Sequence, residues 1–107
     1  MILIFNNGYP DYIGYRQAFV GHGTGPASYD ATAGDPVTLQ NPRRFIDILF
    51  IGQSLSGTYT VIAKPTAIGE RQVWSAFWYT TSGMTPVAGA TPLNGETVVM
   101  GGFCGQY

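Results

Sequence analysis

Residues 71–80 (RQVWSAFWYT) alternate two apolar faces, with Trp74, Ala76 and Trp78 on one side and Val73, Phe77 and Tyr79 on the other. Aromatic and β-branched residues suit a pleated surface, and neither Gly nor Pro interrupts the run. The pattern predicts a strand of roughly 33 Å, about the width of a small domain. Because both faces are apolar, the strand should lie centrally, one face in the core and the other against something else.

The other segments arrange themselves around it. Residues 2–5 (ILIF) read as a short strand or as an arm that pairs with a neighbour, ended by the turn formers of 6–10 (NNGYP). Residues 15–22 (YRQAFVGH) alternate loosely and are predicted to form a strand. The stretch 21–35 (GHGTGPASYDATAGD) has no periodicity and reads as a long Gly-rich loop, functional or ordered by a partner. A short strand at 37–39 precedes a turn at Asn41-Pro42. Residues 45–51 (FIDILFI) are apolar on both faces apart from Asp47, and predict an interior strand. Across a turn at 53–57, residues 58–64 (TYTVIAK) should return as its hairpin partner, with Tyr59, Val61 and Ala63 on one face. Residues 87–93 predict a weak strand, and Asn94-Gly95 signals a hairpin into 96–100 (ETVVM). The end, GGFCGQY, reads as a Gly-rich tail anchored by two aromatics. No segment has a 3.6-residue period, and there is no internal repeat. The expectation is a single all-β domain over 1–107. It would be an antiparallel β-sandwich or barrel of about seven or eight strands, with an extended N-terminal arm within 1–12 and a long Gly-rich loop.

Composition sharpens this picture in one respect. Only 10% of the 107 residues are charged, against roughly 25% in soluble domains. A surface with so few charges is expected to be covered by partners or by copies of the same chain. The net charge of −1 provides no basic footprint for nucleic acid. The start MILIFNN has no basic n-region and no run approaches the ~20 apolar residues of a membrane span, so neither a leader nor a membrane partner is expected. Cys104 stands alone, so no internal disulfide can form; it reads as a small buried hydrophobe, with an intersubunit disulfide as the alternative.

No catalytic constellation is legible. With His22 the single histidine and Cys104 the single thiol, one chain cannot assemble a His/Cys zinc tetrad. The run Gly21-His22-Gly23-Thr24-Gly25 lacks the Lys and Ser/Thr of a phosphate loop. Of the acids, Asp11, Asp30, Asp35, Glu70 and Glu96 lie in or beside turn-like segments. Asp47 sits within an apolar strand and calls for a partner such as Arg43, Arg44 or Arg71. No catalytic residue, metal or cofactor is therefore expected. The aromatics offer the sharper alternative to a core: planar rings at Tyr9, Tyr12, Tyr29 and Trp78 could stack on sugars in a carbohydrate-binding module or adhesin tip. The stronger expectation places Trp74, Phe77, Trp78 and Tyr79 in a core or subunit interface. Arg43 and Arg44 would join that interface at their turn, and Ile2 and Ile4 would join it through the arm.

From Tyr15 onward the chain resembles small structural proteins of tailed bacteriophages. The resemblance rests on YRQAFVGHGTGPASYDATAGDPVTL, RRFIDILFI, SGTYTVIA, RQVWSAFWYT and PVAGATPLNGETVVM. Members often enter a strand through Gly-Asp-Pro-apolar, matched by Asp35, Pro36 and Val37. They carry an apolar-Ala-Gly-Thr-x-Leu-x-Gly segment near the end, matched by Val87, Ala88, Gly89, Thr91, Leu93 and Gly95 with Ala90 inserted. The apolar N-terminus and Cys104 depart from the pattern. The resemblance implies a non-enzymatic virion protein, assembled in the host cytoplasm. It would be a capsid decoration or cement protein binding the major capsid protein and copies of itself, as a trimer, on the head surface, or else a tail-associated component.

Overall fold

The computed structural model describes residues 1–6, 11–13, 16–41, 43–66 and 73–106, and among them every regular element is a strand. In chain order these are β1 (Ile2–Phe5), β2 (Asp11–Ile13), β3 (Arg16–Thr24), β4 (Asp35–Leu39), β5 (Arg44–Leu49), β6 (Gly52–Ser54), β7 (Tyr59–Pro65), β8 (Trp74–Thr80) and β9 (Thr97–Gln106). Seven strands close a barrel in the order β1-β4-β8-β7-β6-β9-β3. The ring is shut by β3 against β9, from Gln17 opposite Cys104 to Thr24 opposite Thr97. Every pairing around it is antiparallel except β1 with β4, where Ile2 and Leu3 lie beside Thr38 and Leu39 in parallel. At that joint the α-amino group of Met1 meets the Asp35 carboxylate at 2.8 Å. β5 is the extra strand. It shares one edge of β9 with β6, running beside Gln106 to Gly102, while β6 runs beside Val99 and Val98. β2 is placed likewise next to β1 along β3. Closure removes the open sheet edges that a flat sheet of this length would expose.

Alternation decides what lies inside. On β8, Trp74, Ala76 and Trp78 all point into the barrel, with Trp78 only 1% exposed. They meet Leu3 and Phe5 from β1, Val37 and Leu39 from β4, Val61 from β7, and Val98, Met100 and Cys104 from β9. Tyr59 packs edge-to-face on Trp78 at 5.7 Å between centroids. Burying a side chain of this size contributes about 2–3 kcal/mol, so this cluster dominates the domain's stability.

Several sequence expectations change. Residues 45–51 and 58–64 do not form a hairpin: β7 pairs with β6, which sequence reading left in a turn, and β5 pairs with β9. Residues 87–93 form no strand, so Asn94-Gly95 turns the chain into β9 without making a hairpin. The supposed Gly-rich tail belongs to the longest strand, because Gly101, Gly102 and Gly105 let β9 lie close to β3 and β5. Residues 2–5 are a barrel strand with Leu3 fully buried, the first of the two expected alternatives, and not an arm reaching for a neighbour. Residues 21–24 belong to β3, which shortens the loop to 25–34.

Candidate interaction surface

The chain itself orders that loop. Gly25 N–H donates to the Glu96 carbonyl at 3.1 Å, and Leu93 N–H donates to Pro26 at 2.9 Å. Tyr29 N–H donates to the Thr91 carbonyl at 3.1 Å, and the Tyr29 carbonyl accepts from Ala90 N–H at 2.7 Å. Residues 87–93 thus form the backing for 25–34, and both buried residues of that stretch, Val87 and Leu93, fill the core beneath. The Tyr29 ring is only 4% exposed, and its phenol oxygen accepts a 3.0 Å hydrogen bond from Trp78 N–H. That N–H lies beyond the last residue of β4 that pairs with β8, so the phenol takes the place of a missing neighbouring strand. Burial pushes the Tyr29 hydroxyl above its ordinary pKa, outweighing the lowering effect of the Trp78 hydrogen bond. The Asp30 carboxylate accepts from Thr32 and Ala33 N–H at 2.9 and 3.0 Å, which holds its pKa down and fixes the turn.

The expected site residues scatter. Trp74 and Trp78 are core residues, so the tryptophan face cannot also be an intermolecular interface. The sugar-stacking candidates Tyr29 and Trp78 are buried for the same reason; Tyr9 and the side chain of Tyr12 lie outside the described residues. On the outer face of β8, Lys64 Nζ lies 4.7 Å over the Phe77 ring, while the Tyr79 backbone makes an isolated antiparallel bridge with Pro86 at the strand's edge. Phe77 and Tyr79 are left half-buried. Arg43 is exposed and Arg44 half-buried at the start of β5. Cys104 faces the interior, where an intersubunit disulfide cannot reach it, and burial raises its pKa. His22 Nδ1 lies 2.5 Å from Asn6 Oδ1 on the outside of β3, and Glu96 accepts from the Ser56 hydroxyl at 2.9 Å. Asp47 is half-buried on β5; Glu70 lies outside the described residues. The glycines of the GHGTG run serve packing. A Cβ at Gly23 would stand 2.6 Å from Met1 Cγ and 2.8 Å from the Ile2 carbonyl. Among the described residues, no three His, Cys, Asp or Glu side chains come together in a metal-binding arrangement.

Ile2 and Ile4 are exposed, and they belong to a larger feature that sequence reading missed. Outward residues of β1, β3 and β9, of β5, and of the chain through 50–55 make one wall of the barrel. Seven of the nine large exposed hydrophobics of the described residues stand on it: Ile2, Ile4, Val20, Ile48, Phe50, Ile51 and Leu55. Register ties them together. Ile4 lies beside His22, Val20 beside Gly101 and Ile48 beside Phe103, while Phe50 packs edge-to-face on Phe103 at 5.7 Å. No charged side chain stands among the outward residues of this wall on β1, on β3 from Gln17, or on β9 between Thr97 and Phe103. The signal was available in principle, as Ile4 and Val20 occupy the outward phase of β1 and β3, but the barrel's closure was needed to show that they share a side with Phe50, between β5 and β6. No family model, no curated protein and no solved structure matches the chain.

Proposed function

We propose that this chain is a non-enzymatic structural protein of a virion, of the capsid decoration or cement type, which attaches to the head lattice and reinforces it. The observation that carries this reading is the apolar wall whose outward positions on β1, on β3 from Gln17 and on β9 from Thr97 to Phe103 carry no charge, extended by Ile48 and Phe50. Exposed patches beyond a few hundred Å² mark interaction surfaces, and the chain's 10% charge content leaves little else to keep such a surface soluble on its own. The closed, rigid scaffold and the internally zipped 25–34 loop suit a brick that is set in place and does not change shape. The resemblance of 35–37 and 87–95 to phage structural proteins supplies the particular setting. The major capsid protein would be the lattice partner.

Quantitative proteomics on particles purified from the source tests this reading. Copies commensurate with the capsid lattice are expected. A handful per particle would move the protein to the tail or a vertex, and absence from particles would end the virion reading.

A further inference from the structure

We infer that the apolar wall pairs with the same wall of a second copy about a two-fold axis passing between Val20 and Gly101. This rests on the assembly reading above: the wall is filled by a second copy, and the dimer so formed is the unit that meets the lattice through its other surfaces.

The first argument is size. The seven large hydrophobics are between 42% and 73% exposed. Contiguous exposed apolar patches mark interaction sites, and a stable interface takes ~800 Å² from each partner. The second argument is charge. The β1–β3–β9 part of the wall, from Gln17 on β3 and between Thr97 and Phe103 on β9, carries no charge to steer or anchor a charged partner, and its best complement is an equally uncharged apolar surface. Among the described residues, the other two large exposed hydrophobics, Val73 and Met84, lie away from it and form no second wall.

The third argument is shape. Val20 stands 52% exposed on β3, directly beside Gly101 on β9. Gly101 leaves a hollow bordered along the strand by Val99 and Phe103, with Phe50 N–H bonded to its carbonyl at 2.8 Å on the far side. A Cβ at Gly101 would lie 2.8 Å from the Phe19 carbonyl, so a side chain cannot fill the hollow without moving backbone. A knob next to a hollow is self-complementary under a two-fold rotation: Val20 of each copy covers Gly101 of the other, which is the isologous arrangement. Phe50 and Ile48 then flank the seat on one side and Ile4 on the other.

Sedimentation equilibrium on the purified chain tests this. The parent is expected to reach twice its 11.5 kDa mass. Val20→Lys brings two like charges together across the axis and should raise the dimer dissociation constant about a hundredfold, with far-UV circular dichroism unchanged. Phe50→Glu gives an independent test should Val20→Lys not fold. Ser82→Lys, on an exposed turn remote from the wall, should leave the dimer intact. Mixing Val20→Lys with Val20→Asp should restore a heterodimer, because the axis between Val20 and Gly101 leaves the two copies of residue 20 as close neighbours on either side of it. A parent that stays monomeric, that forms trimers, or that binds phosphatidylcholine vesicles through this wall in place of itself overturns the inference. So does a dimer indifferent to both folded wall variants, or a charge-swapped pair that stays apart. A monomer that nevertheless coats particles would overturn only the second-copy occupant. A two-fold dimer found on no particle would overturn only the virion reading.

Discussion

At the scale of single residues, Tyr29 has the most specific role. Its hydroxyl accepts from a strand N–H that no β-strand neighbour reaches. Tyr29→Phe keeps the ring and leaves that buried donor unpaired, and is expected to cost about 1–3 kcal/mol, read as a lower urea midpoint at unchanged m-value. The same burial sets a pH dependence. Burial raises Tyr29 above 10.0 and Cys104 above 9.0 in the folded chain. Each group therefore favours folding fully below its unfolded pKa, where both states hold the proton. Above that value the unfolded chain releases the proton first, and the contribution is lost as pH rises through the folded value. Stability should be level through neutral pH and fall from about pH 9 upward. Urea melts across that window should show a shallower fall in the Tyr29→Phe, Cys104→Ala double variant than in the parent.

Among the elements, β3 shows how two faces of one strand carry different constraints. Its inward positions alternate Gln17, Phe19, Gly21 and Gly23, and the last two are small because β1 crosses close above them. Gly23→Val would drive a side chain into the Ile2 carbonyl and Met1, and is expected to cost about 1–3 kcal/mol or more in urea unfolding. Thr24→Val, the next residue and outward, should stay within about 0.5 kcal/mol. The contrast would fail if GHGTG were a flexible loop, since both substitutions would then be tolerated alike. β9 is the counterpart: its glycines are spaced through a strand that pairs on both edges, and the residues that looked like a tail close the barrel.

Over the whole molecule, closure depends on joining residues 17–24 to 97–104, from opposite ends of the chain. Loop-closure entropy must be met before that pairing gives anything back. Folding is therefore expected in the millisecond-to-second range typical of non-local β topologies, measurable by stopped-flow tryptophan fluorescence through Trp74 and Trp78. Folding in microseconds would mean that the barrel is not the rate-limiting structure. The apolar wall also belongs to this scale, because no single strand contains it.

The sequence by itself determined the all-β class, the single domain, and the inward phase of the strands that alternate cleanly. Trp74, Ala76 and Trp78 share a face because a strand repeats every two residues, and that holds in any sheet. Tyr59, Val61 and Ala63 were legible for the same reason. Only the tertiary structure decided which strands pair. Adjacent apolar runs at 45–51 and 58–64 looked like a hairpin, yet β5 found its partner in β9, since long-range pairing is selected by the summed packing of a closed barrel and leaves no local trace. Glycine was the other ambiguity. In 21–25 and 101–105 it resembles a loop former, and it marks here the close approach of neighbouring backbones, a property of the residue that sits opposite and not of the glycine's own neighbours in sequence. The candidate surface was legible only in part, at Ile2 and Ile4. Val20, Ile48 and Phe50 joined them once closure placed the outward phases of distant strands side by side.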